Sequence, residues 1–110
     1  MTNYEFGDVL YVRFPQTDAP GFKNRPVIAI LDIGDADLVA VPITSVQRRG
    51  PGDLPVSGLK KAGLVVPSYA RIAKVSLIHK RNILRRLGQL TTQDRRNVSG
   101  VWRSLYELKP

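Results

Sequence analysis

The spacing of apolar residues changes period once along this chain, at Thr91, and no other feature constrains the fold as much. Upstream of that point, short segments rich in β-branched and aromatic residues alternate with breaks containing Pro or Gly. Asp8–Phe14 reads as a strand stopped at Pro15. Residues 15–24, with Pro15, Pro20 and Gly21, read as a loop. Arg25–Leu31 is a second strand, apolar enough to be buried on both faces, and Asp32–Asp37 is a turn. Leu38–Thr44 then forms a third strand antiparallel to the second. A basic loop follows at Gln47–Gly52, a short strand at Leu54–Val56 and a poorly periodic connection over 58–64. Ser68–Leu77 and Ile83–Leu90 complete the strands. Beyond them, Thr91-Thr92-Gln93-Asp94 has the form of a capping box. Val98, Val101, Trp102, Leu105 and Leu108 follow at helical spacing, which predicts one amphipathic helix of about four turns with Trp102 in the core. The pattern predicts a mainly β chain with one C-terminal helix, its strands bent into a small barrel within a single domain over 1–110.

Composition narrows the chemistry. There are no cysteines and one histidine, so disulfides, thiolate metal sites and histidine-rich metal sites are excluded, and no cofactor is expected. No apolar run approaches the roughly 20 residues of a membrane span, and the first residues lack the form of a signal peptide. A cytoplasmic protein is the expectation. Charge is unevenly spread. Residues 1–47 carry three basic and six acidic side chains, a net of −3, whereas residues 48–110 carry fourteen and three, a net of +11. The overall +8 points to a polyanionic partner, either nucleic acid or an acidic protein, unless the basic surface is merely solvated.

Arg25 stands where the first loop runs into the second strand. A guanidinium fixed there can grip a phosphate with a planar fork of donors, although an arginine bridging loop carbonyls fits the same position. Thr44 and Ser45 close the third strand with two hydroxyls. In a regular strand only one of them shares a face with Arg25.

Five segments, in order and spacing, resemble the MazF/PemK family of toxin endoribonucleases from bacterial toxin–antitoxin modules. They are Gly7-Asp8-Val9-Leu10-Tyr11-Val12, Asn24-Arg25-Pro26-Val27, Val41-Pro42-Ile43-Thr44-Ser45, Ser68-Tyr69-Ala70-Arg71-Ile72-Ala73-Lys74 and Leu87-Gly88-Gln89-Leu90. Together they span nearly the whole chain. The resemblance implies an SH3-like barrel, a homodimer, metal-independent cleavage of single-stranded RNA and neutralisation by an antitoxin with a usually acidic tail. It assigns Arg25, Thr44 and Arg71 to catalysis. The family often carries an acid two residues after this last arginine; here that position is Ala73.

In such a reaction the RNA 2′-hydroxyl attacks the adjacent phosphate. The protein stabilises the phosphorane and manages two protons. Arg25 is the expected charge stabiliser, Thr44 orients phosphate or substrate hydroxyl, and Arg71 is a second clamp or acid equivalent. With Ala73 unable to titrate, Asp18 on the first loop and His79 are the remaining acid–base candidates. Phe22 and Tyr69 offer rings for stacking on bases, and Lys23, Ser45, Gln47 and Arg48 could track the backbone. Arg85, Arg86, Arg95 and Arg96 read as a solvated or antitoxin-facing surface. The missing acid keeps open a non-catalytic module on the same barrel, an RNA binder or a gyrase-type inhibitor.

Overall fold

The structure, a computed structural model, describes residues 3–15 and 20–110. Seven strands form one antiparallel system: β1 (Asp8–Pro15), β2 (Phe22–Leu31), β3 (Asp37–Thr44), β4 (Asp53–Pro55), β5 (Tyr69–Arg71), β6 (Ser76–His79) and β7 (Ile83–Gln89). Helix α1 (Leu59–Ala62) lies between β4 and β5, and α2 (Thr92–Tyr106) follows β7. The strand order is β4-β5-β3-β2-β1-β7, with β6 also on β3. The end strands β4 and β7 do not pair with each other, so the barrel is not closed by a continuous ladder. Mainly β with one C-terminal helix is the architecture the apolar periods predict.

The central strands alternate between two cores. Val9, Ile28, Val41 and Ile43 face one, capped by Val98 and Leu90; Leu10, Val12, Val27, Ala29 and Ala40 face the other. Neighbours in sequence thus point to opposite faces, both buried. A fully buried Leu10 or Ile28 contributes about 1.5–3 kcal/mol.

Boundaries differ from the sequence expectation at several points. Strand β2 begins at Phe22 and not Arg25: Phe22, Lys23 and Asn24, expected in the loop, pair with Pro15, Phe14 and Arg13 of β1, which places Arg25 inside the strand. The segment expected as one strand over Ser68–Leu77 is split into β5 and β6 by a 3₁₀ turn at Ile72–Lys74. There the Ile72 backbone leaves the ladder. Its N–H donates to the Gly52 carbonyl at 2.8 Å, and its carbonyl accepts from the Tyr106 hydroxyl at 2.6 Å. The connection over 58–64 contains α1. Helix α2 ends at Tyr106, leaving Leu108 93% exposed, and Trp102 is only half-buried at the edge of the first core.

The Thr91 hydroxyl caps α2 as expected, accepting from Asp94 N–H at 3.1 Å. The Asp94 carboxylate has a different task from the reciprocal bond of a capping box. It is 2% exposed and accepts from the backbone N–H groups of Ser57 and Gly58, at 3.1 and 2.8 Å. A side chain at Gly58 would meet Thr91 Cγ2 at 2.3 Å. The start of α2 is therefore tied to the segment leading into α1. Helix α1 in turn presses on β7: a Cβ at Gly63 would meet the Leu87 carbonyl at 2.1 Å, and one at Gly88 would meet the Lys61 carbonyl at 2.3 Å. These contacts set the position of residues 63–68.

Asp94→Ala is expected to cost about 1–3 kcal/mol by orphaning two backbone donors, read as a lowered denaturant midpoint at unchanged slope. A second buried acid supplies a pH test. The Lys80 ammonium, 2.8 Å from Asp32, holds that carboxyl down at about 2, assisted by N–H donors from Tyr4 and Gly34. A depressed carboxylate contributes stability that is present above its unfolded value of about 3.9 and is lost as pH falls towards 2. Lys80→Met should move the acid-unfolding midpoint to higher pH, followed by circular dichroism; an unmoved midpoint contradicts the assignment.

Candidate functional site

The ladder between β2 and β3 ends at the pair Val27–Pro42. Two residues further out on each strand stand Arg25 and Thr44. Both strands carry a proline at this end, Pro26 and Pro42, and neither can donate a ladder hydrogen bond. The strands part there around a cavity of about 480 Å³. Arg25, Lys23, Thr44 and Ser45 line it, with residues 63–66 forming the facing wall and Tyr11, Arg85 and Leu87 the side contributed by β1 and β7.

Arg25 is half-buried. Its guanidinium carbon lies 5.1 Å from the centre of the Phe14 ring, and its Nε–H is buried without an acceptor among the described residues. An unmet buried donor costs about 1–3 kcal/mol, a cost that an anionic ligand removes. The Thr44 hydroxyl accepts from Val46 N–H at 3.1 Å and keeps its own proton free to donate. Ser45 shares the cavity with Thr44, contrary to the strand alternation expected, because β3 ends at Thr44 and Ser45 lies in the turn beyond.

Other expected site residues fall elsewhere. Arg71 does not line the cavity; its Nε donates to Asp53 Oδ1 at 3.3 Å, an ion pair that joins β5 to β4. Phe22 lies at the start of β2 with the Arg13 guanidinium 4.7 Å from its ring. Tyr69 is paired with Thr44 in the ladder, but Ser68 and not Tyr69 reaches the cavity. Gln47 and Arg48 are exposed on the loop beyond it. His79 is opposite Asp37 at the far end of β3, about 20 Å of strand from Thr44, and its Nδ1 accepts from Arg81 N–H. Ala73 sits in the 3₁₀ turn beside Gly52, away from the cavity lining. Asp18 lies outside the described residues.

Tyr11 and Arg85 line the cavity although the sequence does not single them out as site residues. Arg85 and Arg86 are adjacent on β7 and diverge. Arg86 Nη2 donates to the buried carboxylate of Asp8 at 2.9 Å, whereas Arg85 lines the cavity with its guanidinium carbon 5.6 Å from the centre of the Tyr11 ring. Strand alternation within Arg85-Arg86 was the available signal. No carboxylate or imidazole lines the cavity among the described residues, so its charge is cationic throughout. No group of three or more metal-type ligands comes together among them either.

The family described as PemK-like, MazF-like toxin of type II toxin–antitoxin system matches residues 5–104. The chain belongs to this family. No curated protein matches it. Solved structures of the MazF type share its fold. The Mycobacterium tuberculosis toxin MazF-mt6 superposes with a TM-score of 0.75 at 19% identity, over 94% of this chain and 99% of the other. An endoribonuclease in complex with its cognate antitoxin, from mycobacterial species, gives 0.76 at 17%, over 98% and 100%. The MazE–MazF complex of Deinococcus radiodurans (form II) gives 0.73 at 15%, over 96% and 97%. At these identities the likeness is one of fold. No helix among the described residues is long and apolar enough to cross a membrane.

For this MazF-like chain the geometry separates two arginines. Arg71→Ala should lower stability by about 0.2–1 kcal/mol and leave affinity for a short single-stranded oligonucleotide within about twofold. Arg85→Ala should weaken binding about tenfold or more, the loss of one charge-assisted hydrogen bond. Anisotropy titrations decide it, and the reverse order of effects contradicts the site as drawn.

Proposed function

We propose that this MazF-like toxin is a sequence-selective endoribonuclease that cuts single-stranded RNA through attack of the substrate's 2′-hydroxyl on the neighbouring phosphate. The observation that carries the reading is the buried, unpartnered Nε–H of Arg25 in a cationic cavity shared with the Thr44 and Ser45 hydroxyls. The phosphorane gathers negative charge on its equatorial oxygens. A fixed guanidinium stabilises that charge more than it stabilises the ground state, and one such donor supplies roughly 3–4 kcal/mol. The Thr44 hydroxyl, anchored by Val46 N–H, orients a phosphate oxygen. The nucleophile belongs to the substrate, so the chemistry needs neither a metal nor an activated water. Products are a 2′,3′-cyclic phosphate and a free 5′-hydroxyl.

The proposal extends to partners. A cognate antitoxin with an acidic tail fits the same cationic cavity, and the structural relatives include a toxin with its antitoxin. A homodimer fits an exposed apolar row in which Leu31 and Leu77 are both registered with Val39 across β2, β3 and β6, with Leu31 and Leu77 more than half exposed. The cytoplasm, where substrate RNA resides, is the proposed location.

A long single-stranded RNA incubated with the purified protein in EDTA should give discrete cuts ending in 2′,3′-cyclic phosphate, from a species sedimenting at about twice 12.2 kDa. Arg25→Ala should reduce the cutting rate by about 10²–10³-fold while keeping the fold. RNA that stays intact while bound supports the non-catalytic binding module instead. A monomeric active species removes the dimer from the proposal.

A further inference from the structure

Cleavage by a 2′-hydroxyl expels a 5′-alkoxide, which needs a proton. The Thr44, Ser45 and Ser68 hydroxyls in the cavity are alcohols, no more acidic than the leaving group itself, so they can donate a hydrogen bond but gain nothing as acids. That leaves Tyr11, Lys23, Arg25 and Arg85. Guanidinium groups hold their protons too firmly to serve as acids. Lys23 is exposed at the rim, with no contact that fixes its ammonium among the described residues. Tyr11 is half-buried on β1, and its position is built by an irregular stretch of sheet. The β1–β7 register shifts between Val9 and Leu10 and again between Tyr11 and Val12, isolating the two pairs Leu10–Arg86 and Tyr11–Arg85. Register shifts of this kind re-aim side chains and recur next to active sites. Here the step sends Arg86 to Asp8 and leaves Arg85, with no carboxylate partner among the described residues, over the Tyr11 ring.

We propose that Tyr11 is the general acid of the cleavage reaction and that Arg85 is its positioning residue. The assignment rests on the cleavage reading given above. In the step, the 2′ oxygen forms a bond to phosphorus and the bond from phosphorus to the 5′ oxygen breaks. The phenolic proton passes to the departing 5′ oxygen, and the 2′-hydroxyl proton goes to solvent water. Water reprotonates the phenolate before the next turnover. A phenol is a much stronger acid than the alcohol it would generate, so it can protonate a departing sugar alkoxide. Arg85 fixes the ring by stacking on it and places positive charge beside it as the oxygen becomes negative.

The test compares two short RNAs built around a mapped cut site, one with the natural bridging 5′ oxygen and one with sulfur at that atom. A 5′ thiolate leaves without a proton. Tyr11→Phe retains the ring under Arg85 and should cut the oxygen substrate about 10²–10⁴-fold more slowly, yet cut the sulfur substrate within about tenfold of the unaltered protein. Arg85→Ala should show the same sulfur rescue in weaker form. An equal loss on both substrates, or no loss on either, overturns Tyr11 as the acid and leaves the cleavage reading standing. Failure of the unaltered protein to cut either substrate overturns the cleavage reading itself. Difluorotyrosine at position 11 gives a second line: its more acidic phenol should move the alkaline limb of the pH–rate profile to lower pH, and an unmoved limb overturns the assignment.

Discussion

The site depends on a place where a sheet is prevented from continuing. β2 and β3 pair as far as Val27 and Pro42, with Pro26 as the next residue outward on β2. A strand pair lengthens only while its residues can supply donors, and a proline whose nitrogen faces the partner strand removes one of them just where the β2–β3 ladder ends. The strands part, and the side chains that would have faced each other, Arg25 and Thr44, line a cavity instead. The same residues that stop the ladder thus create room for a ligand beside a fixed guanidinium. Arg25 keeps its place because β1 still pairs with β2 there, Val12 opposite Arg25, and because Phe14 lies under the guanidinium.

The facing wall is held by backbone approaches over long separations in sequence. Asp94, on α2, grips the backbone at Ser57 and Gly58; Gly63 and Gly88 bring α1 against β7 more closely than any side chain would permit. Gly63 has a φ of 75°, a conformation that glycine adopts at low cost. The loop after α1 therefore has little freedom to retreat from the cavity. A terminal helix that looks like a passive lid on the core is, through one carboxylate, part of the frame of the site.

These relations explain what could be read in the sequence. The nearness of Arg25 to Thr44 is legible because β2 and β3 are consecutive strands joined by a short turn, although Lys23 and Arg25 lie within β2 and not at the loop–strand junction the sequence suggests. The mainly β course and the helix after Thr91 were legible from periodicity. The ion pair of Arg71 with Asp53 is not legible in the sequence because only the β4–β5 pairing brings the two together. Tyr11 and Arg85 were missed because their meeting depends on register shifts in a ladder between residues more than seventy positions apart. The break at Ile72 was hidden because its backbone bonds go to Gly52 and Tyr106, neither of which is a sequence neighbour.

The fold also explains why a modest excess of basic residues becomes a strongly cationic cavity. Asp8, Asp32, Asp53 and Asp94 are each withdrawn into structural bonds: with Arg86 and Gln89, with Lys80, with Arg71, and with the backbone ahead of α1. Acids used this way neutralise cations far from the cavity or satisfy buried N–H groups. Lys23, Arg25 and Arg85 remain around the opening without a carboxylate in its lining. Such a field attracts any flexible polyanion, and within a cavity of about 480 Å³ it can satisfy only one at a time. Under the proposed reading, RNA and an acidic antitoxin tail therefore compete for the same unspent charge. Inhibition then follows from occupancy alone, with no conformational switch in the toxin required.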